Sequence, residues 1–411
     1  MPSAESQNRK QKEKDMNTYL GFQCCLEMNH ILWFSSYRGK GLFRYDGKKV
    51  DHILDFEEEG NRLFADIQAY RGKLIFTPLV SKKIYIYDVV SGELKGIPYG
   101  LKGMSGFSVS VLYGQYLYMF PTYYPGILRM NVETYALETI DTWINGQLES
   151  CRISEDAYFR GDYVRDGNTL YLSLCNAHAV LEFHLENGHC AIHNVGAQGY
   201  STIASDGKRF WMAPRRKGSI VRWDPVTDEK AEYQSYPEGY QQGNFVGSLY
   251  ENGYVWMFPE TSNQVLKVDT ETGRIEEDKL FSDICCHKWV GYSLWNVAFV
   301  YMKKESGRIL LCTGRSCEIV IFRPAANEIK RFQLELSNED SLFYQEAPDE
   351  RYVLFRDKKI KKTFSNENSR YGITGFAEYI AECGEYIEEY VAEKMDMCDL
   401  DIGRAIYKNI M

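Results

Sequence analysis

Short apolar runs, each broken by a turn rich in Gly, Asp, Asn, Ser or Lys, recur along most of this chain. One unit shows the pattern clearly: Phe210-Trp211-Met212-Ala213-Pro214, then Arg215-Arg216-Lys217-Gly218-Ser219, then Ile220-Val221-Arg222-Trp223-Asp224. The outer runs are aromatic and β-branched and the middle is turn chemistry, so the unit reads as strand, turn, strand. It is written seven times. The first strands begin at Leu32, Leu74, Leu117, Leu170, Phe210, Val255 and Ile309, and the second at Leu42, Ile84, Ile127, Val180, Ile220, Val265 and Ile319. Every pair is ten residues apart, and successive units begin 42, 43, 53, 40, 45 and 54 residues apart. A strand-and-turn repeat of that period predicts an all-β fold, a seven-bladed β-propeller.

The same pattern places four strands in the first blade: Phe22 to Met28, Leu32 to Ser35, Leu42 to Asp46 and Val50 to Phe56. In the second blade it places Phe64 to Tyr70, Leu74 to Thr77, Ile84 to Asp88 and Glu93 to Ile97. The second residue of each first strand is Trp33, Ile75, Tyr118, Tyr171, Trp211, Trp256 or Leu310. A large apolar group at one register in every copy predicts packing between blades, not a site. Because the ten-residue offset is fixed, the two long intervals must carry their extra length outside the motif, and it falls most naturally between one blade's outer strand and the next blade's inner strand. The segments concerned are Thr142 to Asp162 and Phe281 to Trp295, and such insertions gather on one face.

Outside the repeats, residues 1–20 read as a flexible arm, 21–340 as the propeller, and 341–370 as a closing or capping segment. Possible strands in 341–356 leave six or eight blades open. Residues 371–411 read as an amphipathic helical tail, with Phe376, Ile380, Cys383, Ile387 and Tyr390 at three/four spacing. That tail either docks on the propeller or mediates assembly into an oligomer.

Composition narrows the function. A net charge of −9 opposes a nucleic-acid partner or an anionic membrane surface, and no apolar run is long enough to span a bilayer. Met1 to Met16 is polar and charged, so no secretory signal is expected. Among eleven Cys, the adjacent pairs Cys24-Cys25 and Cys285-Cys286 suit a disulfide framework poorly, which predicts reduced thiols and a cytoplasmic location. The 31 Tyr are expected where blade faces pack.

Loops that join second to third strands share a face with those that join blades. On that face the sequence places Arg38, Arg62, Tyr123, Tyr124, Arg215, Arg216, Tyr240, Gln241, Trp289 and Arg315 as candidate ligand contacts. Asn176, Glu260 and Asn263 lie in the same set of loops. Arg binds carboxylate or phosphate through a planar fork and Tyr or Trp offers stacking, so a small anionic or glycan-like ligand, or a protein segment, fits. His178 and His287 are the candidate bases if the face is catalytic. Cys285-Cys286-His287 lacks the spacing of a metal site, so no metal ligands are assigned, and the identity of any cofactor stays open. Glu57-Glu58-Glu59 and Glu155 to Asp162 read as solvated acidic loops.

Two resemblances follow from these residues. Leu32-Trp33 through Gly39 and Gly41 to Tyr45-Asp46 resembles the repeat of two-component-regulator-type propellers. Phe210 to Pro225, followed by Lys230-Ala231-Glu232-Tyr233, resembles the repeat of streptogramin B lyase-like propellers. Both cover roughly residues 22–336 as repeat grammar, which specifies fold and not activity. The lyase resemblance implies seven blades, a general-base His and a divalent metal near acidic residues, but no matching His motif is present here. The first reading is therefore a binding or scaffold propeller. The alternative is a metal-assisted lyase or hydrolase acting in the central channel, and a third is a sensory module of a signalling assembly. Whether the chain is an enzyme stays open at this point.

Overall fold

The computed structural model describes residues 19–336 except 38, 59, 101–105, 155, 286–296, 306 and 315, together with the backbone but not the side chains of 145 and 146. Seven antiparallel sheets follow one another in chain order, each laid down strand by strand from the inside outwards. They are the seven blades expected from the repeat. The helical tail expected at 371–411 and the segment 341–370 lie outside the described residues.

Blade one is built of Phe22–Met28, Ile31–Ser36, Gly41–Tyr45 and Val50–Asp55, close to the strands read from the sequence. The inner strands of the following blades are Phe64–Tyr70, Phe107–Tyr113, Val164–Asp166, Tyr200–Ser205, Phe245–Glu251 and Phe299–Glu305. Neighbouring strands in a blade are joined by hairpins with Gly or Asn at positive φ, such as Asn252 and Gly253.

The ring is closed by a short strand, Tyr19–Leu20, from the region that the sequence reading gave to the arm. It pairs with the outer strand of blade seven, Tyr19 opposite Glu335 and Leu20 opposite Leu334. Leu336 then bridges to Val50 of blade one. Blade seven is thus a five-stranded sheet stitched from both ends of the described chain.

The core is a set of seven clusters, one in each seam between blades. Leu20, Phe22, Phe34 and Phe43 meet Cys312, Ile319 and Leu334 in the seam that closes the circle. Trp33 and Leu42 meet Phe64, Leu74 and Phe76 in the next. The second-position residues fill these seams as expected: Trp33, Ile75, Tyr118, Trp211, Trp256 and Leu310 are buried. Tyr171 is half-buried, with its ring 4.6 Å from that of Phe210. Each fully buried Phe or Leu side chain contributes about 2 kcal/mol, so the seams hold the circle together.

One irregularity recurs. In six of the seven inner strands the pairing slips by one residue just after the first aromatic: after Phe22, Phe64, Phe107, Tyr200, Phe245 and Phe299. A bulge there bends the strand and re-aims the residues before it. It separates the strand proper, which lines the channel, from the loop face.

Candidate functional site

Each loop between second and third strands begins at the same place in the repeat, five residues after the motif's first position. The seven residues there are Tyr37, Leu79, Thr122, Cys175, Arg215, Glu260 and Gly314. In every blade the amide of this residue donates to a carbonyl that precedes the inner strand, directly in six blades (Gly21, Leu63, Gly106, Gly199, Asn244 and Ala298) and six residues ahead in blade four (Tyr158), at 2.7–3.2 Å. One backbone bond, repeated seven times, therefore fixes where these side chains start.

The polar chemistry gathers over blades three to six, where the slots hold Thr122, Cys175, Arg215 and Glu260. The long insert between blades three and four supplies the partners. Trp143, Leu148, Cys151 and Phe159 bury it in the seam between those blades, and Arg152 bridges to Ala177. So anchored, it presents Asp156 and Arg160. Asp156 lies 3.4 Å from Arg215 and 3.1 Å from Arg216. Arg160 is paired with Glu260 of blade six. Among the described residues three guanidinium groups thus face two carboxylates. The Arg215 side chain is only 8% exposed and that of Asp156 12%. Arg216 holds a left-handed backbone (φ 77°), a conformation that costs a non-glycine residue about 1–2 kcal/mol.

The surroundings are dry. Burial raises the Tyr123 phenol above its ordinary range, Asp156 adds to the rise, and Arg160 and Arg215 oppose it. Burial likewise pushes the Cys175 thiol up to about 11 against the pull of Arg215 and Arg160. The packing is close: a methyl group on Gly199 would stand 2.0 Å from the carbonyl oxygen of Cys175.

Within this region several buried polar atoms have no protein hydrogen-bond partner. They are Nε and Nη1 of Arg215, both Oδ1 and Nδ2 of Asn176, Oγ1 of Thr122 and Nδ1 of His178. Asn176 is fully buried. Buried donors and acceptors in folded proteins are nearly always paired, and each one left bare costs about 1–3 kcal/mol. Six of the sixteen such atoms among the described residues lie on these four residues of blades three to five, and the others, on Trp33, Thr77 and Arg222 for example, are spread through the rest of the ring.

Beneath this region, inner strands are tied across the channel. Asp162 precedes the inner strand of blade four, and its Oδ2 accepts the Ile203 amide of blade five (3.0 Å) and the Ser248 amide (3.0 Å) and hydroxyl (2.9 Å) of blade six. Its Oδ1 is paired with Lys304 of blade seven. In blade two, Asp66 Oδ2 accepts the Ser110 amide (3.1 Å) and hydroxyl (2.9 Å) in the same manner. Asp156 and Asp162, expected in a solvated acidic loop, are therefore not solvated. Asp156 and Asp162 are both turned inward onto cations, because the insert is anchored by its aromatic residues.

Of the residues that the sequence nominated, the structure brings together Tyr123, Arg215 and Arg216, with His178 two residues beyond Asn176. Others stand elsewhere. Arg62 donates through Nε to Gln23 (2.8 Å), near blades one and two. Tyr124 packs in the seam of blades two and three, and Tyr240 lies against Tyr236 (4.6 Å between rings) beside the seam of blades five and six. The Gln241 amide donates to Asn263 Oδ1 (2.7 Å). Arg38, His287, Trp289 and Arg315 lie outside the described residues. The sequence reading passed over Thr122, Asp156, Arg160 and Cys175. Counting five residues along each motif would have found Thr122 and Cys175. Among the described residues no group of three or more His, Cys, Asp or Glu is arranged to hold a metal ion. Nor is any helix among them long and apolar enough to cross a membrane.

No family model matches the chain, and no curated protein matches it. Solved structures do. A catalytically inactive virginiamycin B lyase from Staphylococcus aureus with quinupristin superposes with a TM-score of 0.53 at 12% identity, over 74% of this chain and 94% of that one. A streptogramin B lyase structure gives 0.52 at 12% identity, over 77% and 94%. The extracellular domain of the hybrid two-component system BT4673 from B. thetaiotaomicron gives 0.49 at 13% identity, over 72% and 37%. The lyase structures bear out the resemblance read from the repeats to streptogramin B lyase-like propellers, and at these identities it is a likeness of fold.

Proposed function

We propose that this chain is a recognition propeller that holds a small anionic ligand on its loop face, over blades three to six. The observation that carries this reading is Arg215: a guanidinium almost wholly buried, shared with Asp156, yet with Nε and Nη1 lacking any acceptor. A buried cation with unused donors is stabilised by an incoming anion, since charge-assisted hydrogen bonds in a dry site are stronger than their counterparts in water. Arg216, on the same turn and more exposed, adds attraction at the rim. All eight Cys of the described region are buried free thiols, which supports a reducing, cytoplasmic setting.

The test is a thermal-shift and calorimetric titration with glucuronate, acetate and inorganic phosphate at constant ionic strength. Chloride at the same ionic strength is the control. Wild type is expected to gain stability with at least one of the three, and Arg215→Met to lose that gain while keeping the fold. No gain with any of them, or an equal gain in Arg215→Met, overturns the reading. Release of a product from a bound anion would move the chain to the lyase alternative.

A further inference from the structure

Resting on the anion reading, we propose that the site is specific for a hydroxylated carboxylate, a sugar acid, and that Asn176 is the residue that reads its hydroxyl groups. The argument starts from what a bare anion cannot do. Asn176 is fully buried with both ends of its amide unpartnered, an acceptor at Oδ1 and a donor at Nδ2. Acetate or phosphate dianion brings acceptors only, so it satisfies Arg215 and Nδ2 but leaves Oδ1 bare. A hydroxyl both donates and accepts, and so completes the amide. Thr122 Oγ1 and His178 Nδ1, also buried and unpartnered, offer further hydrogen-bonding positions of the same kind.

Asn176 and Arg215 belong to one recognition element because the chain ties their roots together. The Arg215 amide donates to the Gly199 carbonyl at 2.7 Å, and Gly199 is pressed against the Cys175 carbonyl, one peptide unit before Asn176. Arg215 is also the charge felt most strongly by the Cys175 thiol. The Asn176 carbonyl accepts the amides of Ile153 (2.8 Å) and Ser154 (3.3 Å), which fixes its peptide to the insert that carries Asp156. The peptides of Asn176 and Arg215 are therefore held on a common backbone frame, and the proposal puts the carboxylate of the ligand on Arg215 and its hydroxyls on Asn176. Sites built to bond a hydroxyl discriminate strongly against analogues that lack it, because the protein groups are then left bare.

The experiment is calorimetric titration of the full chain with three probes: glucuronate, acetate and glucose. Wild type is expected to bind glucuronate roughly tenfold or more tightly than acetate, a step that corresponds to one buried hydrogen bond gained, and to bind glucose weakly. Asn176→Ala is expected to cut the glucuronate-to-acetate ratio to near one, since glucuronate gives up both bonds to the amide and acetate only the one from Nδ2. Arg215→Met removes binding of both acids. If Asn176→Ala leaves the glucuronate-to-acetate ratio as in wild type, the sugar-acid inference is wrong and the anion reading stands. If Arg215→Met binds glucuronate as wild type does, both are wrong. Should Asn176→Ala fail to fold, Thr122→Val supplies the second variant, with a smaller loss confined to glucuronate expected and no change in the ratio counting against the inference.

Discussion

Asp162 and Ser248 are two blades apart, yet one carboxylate oxygen of Asp162 takes both the amide (3.0 Å) and the hydroxyl (2.9 Å) of Ser248. The Ile203 amide of the blade between them binds the same oxygen. Lys304 holds the other oxygen. Four consecutive blades thus meet on one side chain that is 4% exposed.

Asp162→Ala is therefore expected to unfold at lower denaturant, with a loss of about 2–4 kcal/mol. Removing one partner of a buried network strands the others, and partial exposure of Lys304 keeps the figure at the lower end for such sites. Chemical denaturation followed by tryptophan fluorescence measures it. A loss below about 0.5 kcal/mol, the range of an ordinary surface change, would show that the four blades do not depend on this carboxylate.

Ring closure gives a second expectation. Leu334 is fully buried and Leu20 nearly so, both in the seam of blades seven and one. Leu334→Ala should cost about 2–4 kcal/mol through the cavity it leaves. Deletion of residues 1–20 should lower Tm as well, since it strips the strand that covers Leu334 and Glu335. Unchanged melting of the deletion would mean that the closing strand adds nothing to the circle.

A third concerns acid. The carboxyls of Asp46, Asp88, Asp224 and Asp269 sit at hairpin turns and accept backbone amides from the residues that follow, which lowers their pKa. A folded value below the unfolded one means stability that is present above about pH 4, the unfolded range of Asp, and lost as pH falls through the folded values. Tm should be level from neutral pH down to about 5 and drop below about 4. Asp88→Asn keeps an amide oxygen as turn acceptor and cannot titrate, so its drop should be shallower. An Asn variant with an unaltered acid profile would assign the effect elsewhere.

A fourth concerns Cys175. With its thiol pushed up to about 11 by burial, it should react with iodoacetamide at neutral pH at least about a hundredfold more slowly than a free thiol near 8.5. Peptide mapping after native and denatured alkylation reads this directly. Rapid native labelling would show that the floor of the site is open to water.

The fold was legible in the sequence because a repeat states its own register. Phe22–Met28 and Phe64–Tyr70 appear where the apolar pattern put them, and Trp33, Trp211 and Trp256 fill seams as their shared position required. The closing strand was not legible. Tyr19–Leu20 is two residues long and its partner is at the far end of the described chain, so no local pattern announces it. The site was half legible. Arg215 and Arg216 stood out as a basic turn, but Asp156 and Arg160 lie in an insert without period, and acidic residues in such a stretch look solvated until something holds the insert down. Tyr124 and Tyr240 stand apart from that group for the opposite reason: rings on loops look like stacking platforms, whereas here they pack against the nearby seams.

The seven backbone bonds that open the loops separate address from content. Because each bond uses an amide and a carbonyl, the slot accepts Tyr37, Leu79, Thr122, Cys175, Arg215, Glu260 or Gly314 with the same anchoring, and proline alone is barred for want of a hydrogen. The mouth of the ring is in effect a seven-letter word written one letter per blade. A letter can change without loss of the backbone bond beneath it, although Tyr37 and Cys175 are buried and their slots also serve the core.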